Sequence, residues 1–141
     1  MFSSLRRGSV AVVGATESEL GLCAPGTTPY DLMAQATHRA LNDCGLQLKD
    51  VDGVFTASSQ ARFSSVGLCE YLGLKPRYQD NTLMGGASFM SHVAHAMAAI
   101  NSGSCDVALI AYGSTQKSVS RAAASPREYN AYETPYKPFL P

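Results

Sequence analysis

"GGASFMSHVAHAMAAINSGSCDVALIAYGS", residues 85 to 114, sets the architecture of the chain. A glycine pair opens a helical run from about Ala87 to Ser102, and Gly103 stops it. "DVALIAY", Asp106 to Tyr112, follows as an almost wholly apolar, central buried strand. From Asn81 to Cys105 there is no Asp, Glu, Lys or Arg. Phe89, Val93, Ala96, Met97 and Ile100 form an apolar stripe, and the other side carries small Ser91, Ala94 and Ala98. A helix without a charged face is buried on all sides or packs against a second layer. Its N-terminus is therefore expected to be sunk in the protein. Backbone N–H groups at such an end favour anions and oxyanions and lower the pKa of a thiol placed there. Gly85 and Gly86 would let a ligand approach the backbone closely. A core helix behind a plain glycine turn accounts for the same residues.

Outward from this unit, "SVAVVG" at Ser9 to Gly14 reads as a buried parallel strand. A polar, Gly/Pro-rich loop follows, and then "TPYDLMAQATHRALNDCG" reads as a helix. Thr28 can cap it, Pro29 suits its first turn, and Asp31 completes a capping-box pattern. Met33, Ala36, Ala40, Leu41 and Cys44 share one face, His38 lies on the polar side, and Gly45 supplies a left-handed stop. Phe63 to Leu72 reads as a short helix closed by Gly73. Strands are expected at Val10–Val13, Val54–Ala57, Arg77–Asn81 and Val107–Ala111, with the first and last adjacent at the centre and the 77–81 segment more polar than the others. Alternating strands and helices argue for an α/β fold with a mostly parallel sheet and helices on both faces. Residues 1–113 read as the core. Residues 114–141, rich in Ser, Ala, Tyr and Pro, read as the start of a loop region on a domain that continues.

Composition narrows the function. Of 141 residues, 45% are hydrophobic and 16% charged, which fits a globular core. Eleven basic residues balance eleven acidic ones, so the basic excess of a nucleic-acid or membrane-surface binder is missing. No apolar stretch reaches the length of a membrane span, and the N-terminus lacks the core of a signal peptide. Cys23, Cys44, Cys69 and Cys105 are scattered, with no C-x-x-C pair and no zinc-type spacing. They are expected to be unpaired thiols of a cytoplasmic protein.

"SVAVVGA", "ALNDCGLQLKDVDGVF" and the 85–114 unit together resemble the thiolase superfamily. The closest likeness is to the thiolase-like group related to sterol-carrier-protein and lipid-transfer thiolases. The resemblance covers nearly the whole chain, including "YETPYKPFLP" near the end, and implies the N-terminal half of a thiolase-like fold around a buried central helix. In thiolases with the usual active site, a cysteine at the start of this helix takes the acyl group from coenzyme A. Counting back from "SGSCDVALIAYG" puts that position at Gly86, and a different gapping puts it at Met84. Neither is a nucleophile. Cys105 stands at the far end of the helix, roughly 25 Å away. The resemblance implies acyl-CoA as substrate, in acetyl-CoA acetyltransferase-like acyl transfer or C–C cleavage of the retro-aldol kind without an acyl-enzyme. It implies no bound cofactor, a homodimer formed through the 77–81 edge strand, and a small OB-fold partner. The acid/base residues would lie in a second half. The alternative is a non-catalytic thiolase-fold subunit or truncated domain that binds partners only.

The substrate-binding candidates are Gly85, Gly86, Ser88 and His92. Ser88 and His92, four apart on the helix, could form a nucleophile–base pair, although a serine there more often serves the helix backbone. His92 and His95, three apart on one side, could hold a metal only with a third ligand, and polar packing between layers is the simpler role. "VVGATESELG" follows an expected strand as a dinucleotide fingerprint would, but Thr16 stands where the second glycine is required.

Overall fold

The computed structural model describes residues 8–61 and 63–118. Its centre is β1, Gly53–Thr56, in which every residue is buried. Side chains alternate across a strand, so Val54 and Phe55 feed two different cores. Val54 packs with Met33, Leu41, Leu68 and Leu74 on one face. Phe55 packs with Ala96, Ala99 and Cys105 on the other. Phe55 has no exposed surface, and burial of this kind is worth about 1.5–3 kcal/mol per large side chain. Gly53 lets the strand approach its neighbour closely: a Cβ there would lie 2.8 Å from the Cys105 sulfur.

Three helices and two further strands surround β1. The helix α1, Pro29–Cys44, begins as its residues dictate. The Thr28 hydroxyl accepts from the Asp31 N–H, and the Asp31 carboxylate accepts from the Thr28 N–H at 2.7 Å. Gly45 ends it in the left-handed region at φ 75°. A 3₁₀ turn at Leu48–Asp50 leads into β1. Then come α2, Ser64–Leu72, closed by left-handed Gly73; β2, Tyr78–Asp80; α3, Ser88–Asn101; and β3, Ala108–Ala111. The sheet order is β2-β1-β3, and both pairings are parallel. The path moves from β1 to β2, then back past β1 to β3. Parallel crossovers are right-handed, so reversing direction puts the two connecting helices on opposite faces. The side chains of α1 and α2 line the Val54 core, and those of α3 line the Phe55 core. The expected α/β fold with helices on both faces is therefore present, with β2 at an edge.

Three expectations need correction. Val10–Val13 is not a strand: Val12 is 81% and Val13 63% exposed. Both edges of β1 are already taken, and the segment after these valines is tied to α1 instead. Thr16 donates to the Ala36 carbonyl at 2.9 Å, and Arg39 donates to the Glu17 carbonyl at 2.9 Å. β3 accordingly pairs with β1 rather than with the first segment, and it forms the second edge of the described sheet. The α3 stripe is also rotated. Its buried line is Ser88, His92, Ala96 and Ala99, whereas Val93 is exposed and Phe89 and Met97 are half-buried. Finally, Gly85, Gly86 and Ala87 are exposed, so the helix start is not sunk within the described residues. The domain limits 1–113 and 114–141 fall mostly outside what the described residues can divide, since 119–141 lie beyond them.

Asp52 joins the amino ends of all three strands. Its carboxylate accepts from the N–H groups of Asp106 and Val107, each at 2.8 Å, and from Arg77 at 2.5 Å and 3.0 Å. Its own N–H donates to the Val107 carbonyl, and its carbonyl accepts from the N–H of Arg77. Burial pushes the Asp52 carboxyl up, but the hydrogen bonds from Val107, Arg77 and Asp106 outweigh it and hold the group below the usual carboxylate range. A depressed folded pKa contributes stability that is present above the unfolded value, about 3.9, and is lost as pH falls through the folded value. Asp52→Ala is expected to lower the stability at neutral pH by about 1–3 kcal/mol. Asp52→Asn is expected to flatten the acid limb of the stability curve. Urea unfolding from neutral to acid pH checks both, and an unchanged midpoint in Asp52→Ala would remove Asp52 from the account.

Candidate functional site

The chain path reverses at the carboxyl ends of β1 and β2. β1 exits to α2 on one face and its neighbour β2 exits to α3 on the other, and ligands in α/β sheets bind outside the strand carboxyl ends at such a point. The residues collected there are polar. Asn81, directly after β2, accepts at one oxygen from the Ser64 hydroxyl at 2.6 Å and from the Ser65 N–H at 3.3 Å, and so caps α2. Gln60, after β1, accepts from the Ser114 hydroxyl at 3.0 Å and the Thr115 N–H at 2.9 Å, and donates to the Thr115 hydroxyl at 3.1 Å.

The start of α3 differs from that of α1. No side chain caps it. Gly85 turns the chain at φ 64°, a value that disfavours any other residue. Gly86 has no such requirement, and a Cβ added to it would meet nothing within 4 Å. The Ser88 N–H is spent on the Gly85 carbonyl at 3.1 Å, so the helix start presents the N–H groups of Phe89 and Met90.

Ser88 and His92 are both fully buried on the same helix face, yet they form no pair. The Ser88 hydroxyl accepts from the Met84 N–H at 2.8 Å and donates to the Gly85 carbonyl at 2.7 Å. It holds the loop that delivers the chain to the helix. The Nε2 of His92 lies 3.0 Å from the Thr82 carbonyl oxygen. A carbonyl can only accept, so Nε2 carries the proton and the Nδ1 lone pair is left over. Nδ1 is buried and has no hydrogen-bond partner among the described residues. Ser88 is therefore committed to the backbone, and the nucleophile–base pairing is not formed.

His95 contacts a residue that spacing gave no reason to pair with it. Its Nδ1 lies 2.5 Å from the Asp80 carboxylate. The other Asp80 oxygen accepts from the Thr82 hydroxyl at 2.6 Å and the Thr82 N–H at 2.8 Å. Burial pushes the Asp80 carboxyl up, but these bonds and His95 outweigh it and leave the group below its ordinary value. The two imidazole rings are 6.4 Å apart, and no group of three metal-ligating side chains exists among the described residues. Asp80 and His95 are separated by a whole loop, and only the β2–α3 return brings them together.

All four cysteines are free thiols. Burial pushes the Cys69 thiol up. Burial also raises the Cys105 thiol, and the nearby Asp52 carboxylate adds to the effect. Thr16, the residue that breaks the glycine fingerprint, is spent on the α1 backbone. The described residues contain no helix long and apolar enough to cross a membrane.

No family model matches the chain, and no curated protein matches it. Solved structures do. The chain is similar to the Ltp2–ChsH2(DUF35) aldolase at a TM-score of 0.66 and 22% identity, over 88% of this chain and 30% of that one. It is similar to a monomeric SCP2-thiolase like protein type 1 from Mycobacterium smegmatis at 0.56 and 23% identity, over 70% of this chain and 22% of that one. It is also similar to an OleA variant from Xanthomonas campestris with bound lauric acid and lauroyl-CoA, at 0.56 and 17% identity, over 63% and 28%. The chain spans less than a third of the length of each. These likenesses show the fold: the chain has the α/β architecture of a thiolase-like half-domain.

Proposed function

We propose that this chain is the first half of a thiolase-like protein that handles acyl-CoA thioesters without an acyl-cysteine at Gly86. The observation that carries the reading is the uncapped start of α3 at the strand carboxyl ends, with room at Gly86 and no thiol. Its N–H groups suit the developing negative charge of a thioester oxygen, as an oxyanion site does. Gly85 and Gly86 give a ligand access, and Ser88 and His92 support the loop and the helix from behind. The chemistry that suits such a site is C–C cleavage or acyl transfer in which the acid and base come from the second half. The protein needs no bound cofactor in this reading, and coenzyme A arrives with the substrate.

Partners follow the same reading. Among the described residues β2 pairs only with β1, so its outer edge suits a second copy and a homodimer. A small OB-fold partner is proposed on the thiolase-group likeness, and one of the similar structures pairs Ltp2 with ChsH2(DUF35). Free thiols suit a cytoplasmic setting. One observation favours the second reading, a non-catalytic subunit or partner-binding domain: Leu83 and Met84 before α3, Met90 and Val93 on it, and Tyr112 after β3 are exposed.

Two results are expected. Incubation with acetyl-CoA should leave every cysteine unmodified by intact-mass spectrometry, because a reactive thiolate needs a helix N-terminus or a cationic neighbour. Cys69 and Cys105 instead have raised pKa values. An acetyl group mapped to a cysteine would return the protein to ordinary thiolase chemistry. Full-length protein given β-hydroxyacyl-CoA thioesters should release a shorter acyl-CoA together with the aldehyde or ketone formed from the β-carbon. Failure to turn over any thioester would favour the partner-binding reading.

A further inference from the structure

Ser88 and His92 lie about one turn apart on the buried line of α3, and neither has exposed surface. Further along the helix the same line is apolar, through Ala96 and Ala99. The rings of Phe55 and Phe89 flank His92, with centroids at 6.3 Å and 5.8 Å. A leucine would suit these surroundings without the cost of taking a polar ring out of water. What the imidazole adds is a donor, and its place in the core is explained by where that donor goes.

Both polar side chains are spent on one loop. Side chains of a helix lean toward its N-terminus, so His92 reaches back past the first turn, and its Nε2 donates to the Thr82 carbonyl at 3.0 Å. Thr82 is held from its other side too, because its N–H and its hydroxyl both donate to the Asp80 carboxylate. Ser88 takes the Met84 N–H and the Gly85 carbonyl. Residues 82–87 are therefore gripped at their entry by His92 and Asp80 and near their exit by Ser88. Beyond these grips the backbone is unconstrained by packing: a side chain at Gly86 would touch nothing.

We propose that His92 is a positioning residue for the start of α3: by donating to the Thr82 carbonyl it fixes the entry of the 82–87 loop, and with it the path that brings Gly86 to the helix N–H groups. The proposal rests on the reading of that helix start as the site for an acyl thioester. His92 touches no ligand in it and acts through the loop alone. Ser88 sets the turn at Gly85, and His92 sets where that turn stands relative to the helix. Without the His92 donor the loop pivots about the Ser88 contacts. The buried line of α3 thus runs through Ser88 and His92, rather than through Phe89 and Val93, because the loop needs both polar groups.

The test uses the full chain with a reporter at the site. A thiol introduced by Gly86→Cys is alkylated with iodoacetamide across pH, with His92 in place and with His92→Leu or His92→Gln added. Amide hydrogen exchange of residues 82–87 is followed in the same proteins. Leucine fills much of the imidazole's space without a donor, whereas the side-chain amide of glutamine can donate to the Thr82 carbonyl. His92→Leu is expected to raise the reactivity midpoint toward the ordinary thiol value of about 8.5 and to speed exchange of the loop severalfold. His92→Gln is expected to restore most of both. A folded His92→Leu that keeps the parental midpoint and exchange would overturn the proposal, and so would a loss that His92→Gln does not restore. A histidine that merely packs would lower the urea midpoint in both variants and leave the thiol unmoved, which also overturns it. An ordinary midpoint with His92 in place would instead overturn the reading of the helix start, and the exchange rates would then support or overturn the hold on the loop by themselves.

Discussion

β1 is paired on both edges, and the rest of the molecule follows from that. With β2 on one side and β3 on the other, the chain must reverse its direction across the sheet. Handedness then forces α2 and α3 onto opposite faces. The reversal leaves the starts of α2 and α3 beyond the strand carboxyl ends. Asn81 caps α2 from the end of β2. The loop Thr82–Ala87 ends at the uncapped start of α3. At the opposite end of the sheet, Asp52 ties the strand beginnings together, so strand order is specified at both ends.

Much of this was legible in the residues. Thr28, Pro29, Asp31 and Gly45 announce α1 because each acts through its nearest neighbours. Gly73 and Gly103 mark helix ends for the same reason, and β1 and β3 lie where apolar or β-branched runs put them, while β2 is the polar segment expected at 77–81. The misses are tertiary. The valines at 12 and 13 say that burial is favourable, but not that both edges of β1 are taken. The α3 stripe is rotated from its expected place because an uncharged helix has no polar side to orient it. Phe89 and Val93 look like core, yet the buried line runs through Ser88 and His92. Apolar residues left outside on α3 fit the expected second layer better than they fit solvent. The Asp80–His95 contact had no local signal, since the two belong to different elements.

In the proposed reading the site is a scaffold whose usual reactive group is replaced by hydrogen. Gly86 is free of steric and dihedral demands, so backbone conformation does not require the missing side chain to be missing. What the structure shows there is a helix start that no side chain caps. The four thiols lie elsewhere, and two of them are made less acidic by their surroundings. In the proposed reading, chemistry at this helix rests on stabilising charge on a ligand rather than on forming a covalent bond to it.

Placing a thiol at that position tests this account most directly. Gly86→Cys adds a side chain to open space, and its alkylation by iodoacetamide, mapped by peptide mass spectrometry across pH, reports the field at the start of α3. The account predicts a reactivity midpoint clearly below about 8.5, the value of an ordinary thiol. A midpoint at or above that value would show that the helix start confers no electrostatic advantage, and the proposed site would lose its physical basis.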